Sequence, residues 1–204
     1  MKKLIALLSV GVLALGIIGC GADESGVGGS DVEESGAGES GVGESDVEEG
    51  GGEEYRAVEM SAIKDAIVEE LGDDYWPNMS LDSDMLEGFI GLTSDMYEDF
   101  LAEIPMISTN VDTLIVVRAK EDQVDAVEKA MNDYRDAKVS NTMQYPQNIG
   151  KIQASKVARL GNYVIFVQLG ADVMDVLDQG DEAVILHCQA VNDKVIDIIR
   201  TTIQ

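Results

Sequence analysis

Two short runs constrain the fold more than any other part of the 204 residues. In DTLIVVRAK, Leu114 and Val116 alternate with Ile115 and Val117, and NYVIFVQL repeats the pattern, so each run is apolar on both faces of a strand. Strands of that kind belong inside a sheet, because both of their faces need cover from water.

The flanking segments supply partners. DFLAEIPMI sets Phe100, Ala102, Ile104 and Met106 against a face carrying Glu103 and Pro105, which suits an edge strand because proline cannot donate to a ladder. STNVD then closes a hairpin. KVARL and NYVIFVQL meet at Gly161 and Asn162, a pair suited to a two-residue turn.

Helical spacing appears three times. Met60, Ile63, Ile67 and Leu71 form one stripe, stopped by Gly72. Val124, Val127, Met131 and Tyr134 form a second, with acids in its first turn and Arg135 and Lys138 near its end. Val184, Cys188, Val191, Val195 and Ile198 form a third, whose next step lands on Thr202 and ends it. Residues 83–90 read as a short helix or turn, and the stretch around YPQN as a loop.

The expected fold class is α+β: elements in the order α-ββ-α-ββ-α, with a four-stranded antiparallel sheet ordered 1-2-4-3 and packed helices. One sheet face, with Ile115, Val117, Val164 and Phe166, is left unusually apolar. Cover by the first or last helix is expected, and a binding surface is the alternative. Trp76 is expected to pack beside Pro77 rather than to serve as a ligand platform.

The N-terminus is of a different kind. Lys2 and Lys3 precede an uncharged apolar run from Leu4 to Ile18, the layout of a secretory signal peptide and too short to span a bilayer. From Gly21 to Glu54 there are 12 acidic residues and no Lys or Arg, and the decapeptide SGVGGSDVEE at Ser25 recurs as SGVGESDVEE at Ser40. Such a tract cannot bury enough surface to offset its ordering entropy, so a disordered spacer of about 30 to 35 Å is expected. The organisation read here is a signal peptide over 1–19, a tether over 20–54 and one folded domain over 55–204.

Residues 55–204 carry 12 basic and 27 acidic side chains, and the whole chain has a net charge of -25, which argues against nucleic acid as a partner. His187 and Cys188 are the only histidine and the only cysteine beyond Cys20, too few for a zinc site of Cys and His ligands. Adjacent helical residues diverge by about 100°, so the pair does not face itself, and Cys188 reads as a core thiol. No phosphate loop or dinucleotide fingerprint occurs, and no cofactor is expected. Asp82, Asp84 and Glu87 lack the loop pattern of an EF-hand, and Asp172, Asp175, Asp178 and Asp181 recur at threes, as a solvated helix face would.

Ile17, Ile18, Gly19 and Cys20 resemble the lipobox of bacterial lipoproteins. With DTLIVVRAKED, QYPQN and GNYVIFVQLG, the chain is similar to small lipoproteins of Gram-positive anaerobes classed as a domain of unknown function, over most of residues 59–204. The resemblance implies cleavage before Cys20, a diacylglyceryl group on its thiol, and a membrane-held protein on the extracytoplasmic face. It transfers no other functional residue. The expected role is a non-catalytic binding module for an extracytoplasmic protein or cell-wall ligand. A carboxylate-dependent hydrolase of wall or extracellular polymer is the alternative.

Overall fold

The computed structural model describes residues 54–141 and 143–204. The leader over 1–19, Cys20 and the acidic tract up to residue 53 lie outside the described residues. The helices are α1 (Met60–Leu71), α2 (Ser83–Ile90), α3 (Val124–Ser140), α4 (Pro146–Gln153), α5 (Met174–Leu177) and α6 (Asp181–Ile203). The strands are β1 (Met79–Ser80), β2 (Tyr97–Ile104), β3 (Thr113–Ala119), β4 (Lys156–Leu160) and β5 (Tyr163–Gln168). No helix among the described residues is long and apolar enough to cross a membrane.

The sheet is antiparallel, as expected, but has five strands in the order β1-β2-β3-β5-β4, not four. The extra strand is the two-residue β1, whose Met79 and Ser80 pair with Ile104 and Glu103. Two residues are too short for any periodicity to register. The other four strands keep the relative order read from their apolar character. β1 also displaces β2 from the edge, so Glu103 is 2 % exposed instead of solvated.

Both faces of the doubly apolar strands are covered, with the helices distributed differently from the expectation. Leu114, Val116, Ile165 and Val167 pack under α1 and α6, through Ile63, Ile67, Val195 and Ile199. Ile115, Val117, Val164 and Phe166 pack under α2 and α3, through Leu86, Val127 and Met131. The first and last helices therefore share one face, and α3 takes the other with help from α2. Strand periodicity separates the two faces but carries no information on which helix docks on which.

Two further differences have local causes. The YPQN stretch opens α4, with Pro146 in the first turn, where its missing N–H costs nothing. In α6 the buried line runs through Val184, Cys188, Asn192, Val195, Ile199 and Ile203, so it reaches the last turn instead of stopping at Thr202. Alternating steps of four and three average 3.5 residues, and a helix of 3.6 drifts about 20° per heptad away from such a stripe.

Leu160 and Tyr163 pair across the Gly161–Asn162 turn. Gly161 has φ +59°, and a Cβ there would lie 2.8 Å from Cδ2 of Tyr55, so conformation and space both require glycine. The chain reaches the sheet at this pole. Val58 N–H donates to the Tyr163 hydroxyl (3.0 Å), Arg118 Nη1 to the Val58 carbonyl (3.1 Å), and Arg56 N–H to the Ile203 carbonyl (2.8 Å). At the other end of β3, roughly 20 Å away by strand rise, lie the 105–112 connection, α4 and residues 169–173.

Candidate functional site

Most of the buried polar side chains gather at that far pole. Asp112 and Lys151, 0 % and 3 % exposed, form an ion pair with Nζ to Oδ1 at 2.7 Å. Asp112 Oδ2 accepts from the Ala171 amide (2.9 Å), and Lys151 also donates to the Ala171 carbonyl. The pair thus holds both backbone groups of Ala171, a non-glycine residue at φ +46°. That conformation costs about 1 to 2 kcal/mol in isolation. Burial raises the Asp112 carboxyl above the usual carboxylate range, against the pull of Lys151. Asn192 adds a second tie, accepting from the Leu169 amide (2.9 Å) and donating to the Ala154 carbonyl (2.9 Å).

Glu103 anchors the neighbouring cluster. Its Oε1 accepts from Lys64 (2.6 Å) and Ser80 (3.0 Å), and its Oε2 from the Tyr75 hydroxyl (2.8 Å). Burial, followed by Glu103 itself, pushes the Tyr75 phenol far above its ordinary range.

The 105–112 connection separates two clefts and contributes Pro105 and Asn110 to both. The first, about 420 Å³, is walled by Tyr75, Trp76, Asn78, Ile107, Thr109 and Asn110. Trp76, next to the buried Pro77, is 37 % exposed. It is held nonetheless: Nε1–H donates to the Asp73 carbonyl (3.1 Å), and Lys151 Nζ lies 5.0 Å from the ring centroid. Asn78 Oδ1 accepts from Met106 N–H (2.8 Å) and Asn110 Oδ1 from Asp112 N–H (2.9 Å), while the side-chain Nδ2 of each donates to no group among the described residues. The wall thus offers a fixed indole and two oriented amide donors. The second cleft, about 350 Å³, lies between α2 and α3 and is mostly apolar.

The acids singled out in the sequence do not converge. Asp82 caps α2, accepting from Met85 N–H (2.9 Å), and Asp84 and Glu87 are exposed on that helix. Asp172, Asp175, Asp178 and Asp181 do not share a helix face as expected, because α5 spans only Met174–Leu177 and Gly180, at φ +97°, separates it from α6. Among the described residues no group of three His, Cys, Asp or Glu side chains could hold a metal ion.

Cys188 is a buried free thiol, and His187 is half-buried beside it. Burial pushes the Cys188 thiol up to about 11. A disulfide exchange reagent at pH 8 is therefore expected to leave Cys188 unmodified in the folded protein and to label it fully in denaturant. Labelling of the native protein as fast as the denatured chain would contradict this. The raised value also fixes a sign. The folded state keeps a proton that the unfolded thiol loses near 9, so this contribution to stability declines from pH 9 to 11.

Sequence reading missed Lys151, Asp112, Glu103 and Lys138 as site residues. The available signals were an acid immediately before a doubly apolar strand, at Asp112, and an acid between Ala102 and Ile104, at Glu103. No curated protein and no solved structure matches this chain. From the last turn of α1 to the residue after β5 the chain does match a family model: residues 70–169 are similar to DUF4358, a domain of unknown function.

Proposed function

We propose that the protein is a lipid-anchored lipoprotein of the cell envelope, whose folded residues form a non-catalytic binding module. In this reading residues 1–19 are a signal peptide removed before Cys20, and the Cys20 thiol carries a diacylglyceryl group that holds the chain on the extracytoplasmic face. The acidic tract to residue 54 is a tether, and residues 55–204 are one domain. The ligand, an extracytoplasmic protein or a cell-wall fragment, is engaged at the Trp76 cleft.

The supporting observation is that Trp76 is fixed from behind by Lys151 and Asp73 yet stays partly open to solvent beside two free amide donors. A rigid aromatic with few oriented polar groups is the make-up of a small-ligand site. A hydrolase of the two-carboxylate kind needs a pair of acids about 5 to 9.5 Å apart across a cleft. The acids behind this cleft, Glu103 and Asp112, are instead buried and engaged on both oxygens.

Trp76 is the only tryptophan of the chain, so its emission reports on this cleft alone. Titration with solubilised wall fragments should give a saturable change in that emission, reduced at least tenfold in affinity by Asn78→Ala. No change with wall fragments, together with no partner enriched by cross-linking in cells, would refute the binding role. Mass spectrometry of the native N-terminal peptide tests the anchor separately, and an unmodified Cys20 thiol would end that part.

A further inference from the structure

We infer that the second cleft, between α2 and α3, is a site for a single-chain amphiphile with one carboxylate head. This is independent of the Trp76 cleft, which lies on the other side of the 105–112 connection.

The first observation is charge. Residues 55–204 carry more than twice as many acids as bases, yet no Asp or Glu lines this cleft. Its one charged lining residue is Lys138, in the last turn of α3. Among the described residues Lys138 forms no ion pair, and its ammonium lies 5.2 Å from the centroid of the Tyr134 ring. Burial lowers its proton affinity without a compensating carboxylate. A half-buried, unneutralised cation in an otherwise acidic fold is complementary to one anionic group.

The second observation is the rest of the wall. Leu81, Phe89, Ile104 and Met106 supply an apolar trough, with Phe89 59 % and Met106 72 % exposed on its rim. Side chains of that size stay open to water at a cost that an apolar chain laid along them would relieve. The cleft's 350 Å³ matches a small molecule, not a folded partner. A single lysine suits a monoanion better than a phosphate dianion, which calls for several donors.

The test uses the full chain carrying Cys20→Ser, so that no attached lipid competes, in calorimetric titrations below the micelle threshold of each probe. Decanoate should bind at one site per chain, with decanol and decyltrimethylammonium at least tenfold weaker. Lys138→Met should lower decanoate affinity at least tenfold and leave decanol within threefold, whereas Lys138→Arg should retain decanoate binding. Phe89→Ser, on the opposite rim, should weaken decanoate and decanol alike. Equal affinity for decanoate and decanol, undiminished decanoate binding in a folded Lys138→Met protein, or no decanoate binding at all would each overturn the assignment.

Discussion

Lys151→Met should cost about 3 to 5 kcal/mol of folding stability, because it leaves the Asp112 carboxylate buried without its cation. Against total stabilities of about 5 to 15 kcal/mol for natural domains, that is a large share. In a fold of this size it corresponds to a fall in melting temperature of roughly 10 °C. Urea unfolding at pH 7 measures it. The pH dependence supplies a second check. The folded Asp112 carboxyl sits above its unfolded value, so its contribution to stability is fully present below the unfolded value and is lost as pH rises through the folded one. The deficit of Lys151→Met should therefore shrink at pH 4, where the orphaned acid takes up a proton. Lys151→Met combined with Asp112→Asn should recover part of the loss at pH 7. A deficit under about 1 kcal/mol would show that the pair does not hold the far pole together.

Phe166→Ala should be of similar size, about 3 to 5 kcal/mol, because a fully buried aromatic leaves a cavity that the sheet cannot collapse to fill. Phe166 lies beneath α3, edge-on to Tyr134 with ring centroids 5.1 Å apart and planes at 71°. Phe166→Leu keeps most of the volume and should lose less than about 1.5 kcal/mol. The same pair gives a spectroscopic readout. Burial pushes the Tyr134 phenol up to about 12, and removal of the ring beside it should bring its alkaline absorbance transition down toward the ordinary 10. An unchanged transition would place α3 elsewhere than over this face.

These two substitutions also mark where sequence patterning was sufficient and where it was not. The double apolarity of LIVV and YVIFV placed both strands inside the sheet, and residues such as Phe166 in the core, because burial on both faces leaves a local signature that alternation records. Helices α1, α3 and α6 were legible for the same reason. The Lys151–Asp112 pair was not. Its partners stand 39 positions apart, α4 lies in a stretch that read as a loop, and a lysine in sequence looks the same whether solvated or enclosed. β1 was hidden by its two-residue length, and the burial of Glu103 followed from it. Trp76 was seen as a residue of interest, but its half-open setting depends on Lys151 reaching it from α4.

The clasp between Arg56 and Ile203 puts the first and last turns of the fold side by side, at the end of β3 remote from both clefts. Tension applied through the N-terminal segment would load that clasp and the tail of α6 before it strained the cleft walls. A fluorescent reporter joined after Gln204 would sit beside Arg56, leaving the opposite end of the folded residues, with both clefts, unobstructed.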